Sequence, residues 1–279
     1  MMPILFTIGT FHLYSLSAFL IAAWCVFSFI FWRKLRAWGI EEERIFDLTF
    51  YSTIFVMIVS RLTFVVTHKD LFADNLLKVP ALWVVPGLSF YGALIGTLLA
   101  LIYLAKLYKL RLGTVVDAVA HALPASTVVG KFGSLLDGSE IGKSSGLPWA
   151  VSFVGHVDRR HPTQIYEVIV LILVMVALWT IQGRAEKNKW PYGIVGVWFF
   201  LLFALSMFPI EFLKESHVYW ASVNANQVIL IAMFAEAVGM LYVRAGGKEV
   251  IRPLFRKGLL MLRAKAERLY AKISRRNSS

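Results

Sequence analysis

Apolar residues run along this chain in stretches of about twenty, separated by short polar connections, rather than at the alternating or three-to-four spacing of a half-buried element. Each stretch is close to the length at which an α-helix crosses a bilayer. Seven spans are predicted: His12–Trp32, Leu48–Val66, Leu88–Ala105, Thr114–Leu136, Gln164–Ile181, Tyr192–Phe212 and Gln227–Val243. The expected fold class is therefore an all-α integral membrane protein, with seven transmembrane helices and its termini on opposite sides. Lys and Arg set the orientation, because cytoplasmic connections carry their excess. The segments after spans 1, 3 and 5, together with the chain from Arg244 onward, hold 21 of the 29 basic residues. This places the N-terminus outside and the C-terminus in the cytoplasm. Residues 1–244 are expected to form the transmembrane domain, with a long outer loop at 137–163, and residues 245–279 a basic amphipathic tail on the inner surface.

Composition agrees with this reading. The chain is 58% hydrophobic and 16% charged, with mean hydropathy +0.67, far more apolar than a soluble domain. The net charge of +12 sits mostly in the flanks and tail, where orientation and anionic lipid account for it without a nucleic-acid partner. No basic segment precedes the first span and no small-residue cleavage site follows it, so it reads as retained. A single cysteine, Cys25, forms no intrachain disulfide, and no His or Cys spacing resembles a metal site.

Charged residues within apolar spans mark function by default. With helical rise of about 1.5 Å per residue, Arg61, Tyr91, Lys131, Gln164, Tyr166, Glu167, Glu211 and Lys214 fall at the outer ends of their spans, and His12 and Tyr14 open the first. Asp117 lies 14 residues before Lys131, about 21 Å deeper. Lys214 taken alone snorkels easily to the interface. Glu167 and Glu211 have short stems, and pairing with cations is the simplest way to keep them near apolar surroundings. His121 reads as a hydrogen-bonded core residue. The loop at 137–162, DGSEIGKSSGLPWAVSFVGHVDRRHP, is glycine-rich and basic, and with Gly130, Gly133 and Gly142 it suits a phospholipid headgroup at the outer leaflet. Packing between membrane helices is the alternative for Gly130 and Gly133.

Five ordered pieces resemble the phosphatidylglycerol:prolipoprotein diacylglyceryl transferases: SRLTFV at 60–65, SFYGALIG at 89–96, GKFGSLLDGSEIG at 130–142, LPWAVSF at 147–153 and RHPTQIYE at 160–167. EFLK at 211–214 and NQ at 226–227 resemble the family's terminal pattern. The resemblance implies a multi-pass enzyme of the bacterial inner membrane, with its site facing the outer leaflet. It would transfer diacylglyceryl from phosphatidylglycerol to the lipobox cysteine thiol of a preprotein, releasing glycerol 1-phosphate, with no cofactor and no metal. By matching position, Tyr91, Lys131, Glu167 and Glu211 are expected to be catalytic. Tyr14, Arg61, Asp117, Gly130, Ser134, Gly142, Arg160, His161, Gln164, Tyr166 and Lys214 are expected to bind the phospholipid. Arg61 is given a headgroup or ion-pair role.

The chain also departs from the family pattern. Lys131 and Ser134 stand where the family commonly has Arg and Asn, Tyr91 stands for a histidine, and Met207 and Lys214 stand for arginines. A lysine is a point charge where an arginine would clamp phosphate with two parallel bonds. The alternatives are a divergent phospholipid-binding paralogue, with another acceptor or no catalysis, and a transporter. The polar set lies at one side rather than at the midplane where transport sites lie. A retinal photoreceptor is set aside because the seventh span carries no lysine.

Overall fold

The structure is a computed structural model and describes residues 4–8, 11–73, 75–81, 84–85, 87–153, 155–215, 219–220 and 223–244. These residues form seven α-helices in order: α1 (Ser15–Ala37), α2 (Glu42–Thr67), α3 (Phe90–Leu107), α4 (Leu112–Asp137), α5 (Thr163–Lys187), α6 (Ile194–Glu211) and α7 (Ala225–Tyr242). By length and hydropathy α1, α2, α4, α5 and α6 each suffice to cross a membrane, while α3 and α7 carry shorter apolar segments, Gly96–Leu107 and Asn226–Tyr242. The chain is a helical membrane protein. The expected amphipathic tail, 245–279, lies outside the described residues.

Among the described residues, three small antiparallel hairpins add to the expected all-α fold: β1 (Ile4–Ile8) with β2 (Phe11–Tyr14), β3 (Val151–Ser152) with β4 (Arg159–Arg160), and β5 (Tyr219–Trp220) with β6 (Val223–Asn224). The first corrects the start of span 1. His12 and Tyr14 belong to a strand, with His12 opposite Thr7 and Tyr14 opposite Ile4, and the helix begins at Ser15. Pairing satisfies the backbone groups that the two strands turn toward each other.

Helix α4 is the hub, packing against α1, α5 and α6, while α2 lies on α3 and α7 on α6. Half of the apolar stretch of α4 is buried inside the protein, against 11% in α1 and α2, whose large side chains, such as Phe29 and Phe46, are exposed. Close approach depends on small residues. A Cβ on Gly133 would collide with Phe19 of α1, and one on Gly113 would meet the Tyr192 backbone at 2.7 Å.

Asp117 explains how α4 holds α6. Its Oδ2 accepts the N–H of Gly193 at 2.6 Å and its Oδ1 that of Gly196 at 2.7 Å, satisfying two donors at a helix start that carries no side-chain cap of its own. Gly193 adopts φ +88°, which favours glycine, and a Cβ on Gly196 would strike Val116. His121, one turn on, shares its Nδ1 with the Asp117 carbonyl at 2.7 Å and sets its ring edge-on to Trp38, as a core histidine does.

Asp117→Ala leaves two buried N–H groups without an acceptor. We expect it to lower stability by about 2–4 kcal/mol, roughly the desolvation penalty of the two groups, read as a lower thermal unfolding midpoint of the detergent-solubilised protein. An unchanged midpoint would show that the α6 start is satisfied in another way.

Candidate functional site

Polar side chains converge where α4 and α6 end and α5 begins. Lys131 lies two turns before the end of α4, and Glu140 lies three residues past it. Glu167 is in the first turns of α5, Glu211 closes α6, and Lys214 follows three residues later. The Lys131 ammonium is 2.7 Å from both oxygens of Glu140 and 2.6 Å from Glu167 Oε2. The Lys214 ammonium is 2.5 Å from Glu167 Oε1, 2.9 Å from Glu211 Oε1 and 3.5 Å from Glu140 Oε2. Glu167 thus bridges two cations, one oxygen to each, with its side chain only 4% exposed. The Glu211 Oε2 accepts from the side-chain amides of Asn224 and Asn226 at 3.2 and 3.3 Å.

Three carboxylates face two ammoniums, so the cluster carries a formal charge of −1 with all five groups ionised. Alternating signs let it exist in a low-dielectric setting. Burial pushes the Glu140 carboxyl up, but the Lys131 and Lys214 ammoniums outweigh it and hold the group below the ordinary glutamate range. Burial pushes Lys214 down, and Glu140, Glu167 and Glu211 together hold it above the ordinary lysine range. Glu140, at 35% side-chain exposure, is the most open member.

The loop after α4 is placed by backbone pairing on both sides. Lys143 N–H donates to Leu213 O at 2.7 Å and Glu215 N–H to Ile141 O at 2.9 Å; on the other edge His161 N–H donates to Lys143 O at 3.1 Å and Ser145 N–H to Arg159 O at 2.8 Å. Gly142 is required at this crossing, since a Cβ would collide with the His161 carbonyl and lie 2.9 Å from its Cβ. Arg160 ties the same loop, donating to Gly142 O at 3.2 Å and pairing with Asp158 and Glu215. Gln164 donates from Nε2 to the Glu140 carbonyl at 2.6 Å, while its buried Oε1 has no hydrogen-bond partner among the described residues. Beside it, the Tyr166 hydroxyl accepts from Trp149 Nε1 at 2.8 Å and lies 3.3 Å from His161 Nδ1.

The structure therefore brings together Lys131, Glu167, Glu211 and Lys214, with Gly142, Arg160, His161, Gln164 and Tyr166 around them. Arg61 stands apart from this group. Its guanidinium donates to the carbonyls of Val79, Gly87 and Lys78 at 2.6, 2.9 and 2.9 Å and lies over the rings of Phe64 and Phe72. Through these bonds it clamps the connection between α2 and α3. Asp117 is likewise committed to the α6 start. Ser134 is buried and bonds its own helix at the Lys131 carbonyl, 3.2 Å away, and Gly130 faces Ala23 of α1, where a Cβ would sit 4.0 Å from Ala23 Cβ. Tyr14 is half exposed on β2. The Tyr91 side chain lies outside the described residues. Met207 packs with Leu171, Ala204, Ile210 and Leu230, so its position contributes no charge.

Sequence reasoning assigned no role to Glu140, Asn224 or Asn226, although Glu140 and Asn226 lie within the quoted pieces. The sequence carries no signal for Glu140, one acidic residue in an already polar loop, until the fold sets it against both lysines. Asn224 caps α7 and Asn226 lies in its first turn; Asn224 and Gln227 form a reciprocal cap, with bonds of 2.7 and 2.9 Å.

Two expectations follow. Glu167→Ala leaves two buried ammoniums without their shared carboxylate and should cost about 3–5 kcal/mol, measured as chemical unfolding in detergent, whereas Glu140→Gln should cost less. For pH, the Glu140 contribution is present above its unfolded value of 4.5 and is lost as pH falls through its lower folded value. That of Lys214 is present below its unfolded 10.5 and is lost as pH rises through its higher folded value. Melting temperature should then be flat from about pH 5 to about pH 10, with an acid limb that Glu140→Gln weakens. A midpoint that changes steadily through neutrality would contradict this.

A family model described as prolipoprotein diacylglyceryl transferase matches residues 3–243. Curated relatives carry the name phosphatidylglycerol–prolipoprotein diacylglyceryl transferase. That of Zymomonas mobilis is 28% identical over 229 residues, covering 77% of this chain and 80% of the relative. That of Geobacter sulfurreducens is 30% identical over 186 residues, covering 64% and 68%. That of Wolbachia pipientis is 25% identical over 256 residues, covering 86% and 92%. Matched from the first hairpin to the end of α7, the chain belongs to the prolipoprotein diacylglyceryl transferase family.

Proposed function

We propose that this protein transfers the diacylglyceryl group of phosphatidylglycerol to the thiol of a lipobox cysteine in a prolipoprotein. The observation that carries the reading is the buried Lys131–Glu167–Lys214 bridge within a chain of this family. In the reaction the cysteine sulfur forms a bond to the terminal glycerol carbon of the diacylglyceryl group. The bond from that carbon to the phosphate oxygen breaks, and its electron pair leaves with glycerol 1-phosphate. The thiol proton passes to a base at the site. Negative charge grows on phosphate oxygens, so preplaced ammoniums are the groups that lower the barrier.

Lys131 and Lys214 supply those ammoniums, and Glu167 and Glu211 hold them at the rim. A cluster of net charge −1 repels an anionic headgroup until a carboxylate yields its place. Glu140 is suited to do so, being on a loop and the most exposed of the three. Phosphate oxygens then replace its carboxylate at both lysines. Tyr91, Gly142, His161, Gln164 and Tyr166 complete the proposed site. With seven spans, an outer N-terminus and a cytoplasmic C-terminus, this rim opens to the outer leaflet of the bacterial inner membrane, where phosphatidylglycerol and a secreted preprotein both present themselves.

Complementation of a strain depleted of its own transferase, with mass analysis of a lipobox substrate, tests the reading. The cysteine should gain a diacylglyceryl group, and Lys131→Ala should cut transfer by roughly a hundredfold or more without loss of membrane insertion. An unmodified cysteine in cells that make the protein would leave a lipid-binding paralogue as the better description.

A further inference from the structure

The lipid-facing surface of α7 holds one residue that the proposed reaction does not use. Glu236 is exposed, whereas the face of α7 that packs on α6 is marked by Gln227, Leu230 and Ala237. It has no hydrogen-bond or ion-pair partner among the described residues. It stands 12 residues beyond Asn224, which touches Glu211 of the cluster, and hence about 18 Å along the helix axis from it. It is eight residues short of Arg244, about 12 Å, whose guanidinium donates to the Tyr192 carbonyl before α6. In the seven-span topology this depth lies within the apolar layer, and a glutamate stem does not reach an interface from there. A carboxylate bare to lipid at that depth is costly and calls for a partner.

We propose that the open face of α7 receives the signal segment of the preprotein, with Glu236 pairing with that segment's basic N-terminal region; the proposal rests on the function given above. Glu236 shares its face with Ile229, Ala232, Gly239 and Met240. Gly239 has open space where a Cβ would stand, so another helix backbone can approach closely there. A secretory signal has an apolar core of 7–15 residues following a positively charged region. With its cysteine at the cluster, about 12 helical residues bring the chain back about 18 Å, which sets the basic region beside Glu236. Asn226, whose amide reaches Glu211, lies about 80° round the helix from Glu236 at 100° per residue, so a segment crossing α7 at a shallow angle meets both. A second copy of the chain, docking by two-fold symmetry on this face, would instead set Glu236 near its own equivalent, where like charges repel.

The test uses the full chain in proteoliposomes of phosphatidylglycerol and phosphatidylethanolamine, with a photoreactive benzoylphenylalanine at Ala232 and lipobox preproteins whose N-terminal region is either basic or made acidic. Ala232 should cross-link to the basic preprotein upstream of its cysteine. Glu236→Lys should raise KM for that preprotein about tenfold with kcat retained, and the acidic preprotein should restore the low KM. Cross-links confined to a second copy or to the chain's own C-terminal tail would overturn the proposal. So would a KM that ignores both charge reversals. A wild-type chain that modifies neither preprotein would sink the proposed function, while the cross-links would still decide whether α7 is the docking face.

Discussion

Glu167 bridging two lysines is the interaction on which the rim depends. It enters α5 from its first turns, almost without exposure, and takes one ammonium from α4 and one from beyond α6. Without Glu167, the two ammoniums share only Glu140, which is more exposed and lies 2.7 Å from one and 3.5 Å from the other. Ion pairs at such sites contribute little net stability against an apolar replacement. Their value here is positional, since one carboxylate holds three helix ends at a fixed separation.

The two ends of the bundle solve different problems. At the α6 start, Asp117 satisfies backbone donors and three glycines allow the helices to approach, giving a dry contact. At the other end, side-chain charge, backbone pairing of residues 141–145 and a capped α7 build a polar rim that hydrated or charged ligands can reach. Binding chemistry requires the second kind of end, and a fixed helix arrangement requires the first.

The helices were legible because a run of about twenty apolar residues matches the thickness of a bilayer and exceeds what a soluble core helix needs. Their ends were less so. Helix α5 continues six residues past Ile181 through Arg184 to Lys187, and α2 starts at Glu42, because polar residues extend a helix as readily once it leaves the apolar layer. The reverse holds at the N-terminus, where apolar residues before Ser15 pair as strands. In the site, Lys131, Glu167, Glu211 and Lys214 stood out as charges against apolar surroundings. Arg61 and Asp117 stood out equally, yet they bind carbonyls and N–H groups, which recur all along the backbone and which no sequence pattern reveals. Glu140 was hidden by the opposite circumstance, as one acidic residue in a loop already polar.

The strap at 141–145 also has a bearing on the order in which the protein is made. A chain emerging from its N-terminus delivers Lys131, Glu140 and Glu167 before α6 exists, leaving two carboxylates for one ammonium and one edge of the strap without hydrogen-bond partners. The arrival of α6 brings Glu211 and Lys214 as a neutral pair and the backbone of 213–215 to close that edge. The rim is therefore complete in charge and in backbone pairing only once α6 and the segment behind it are in place.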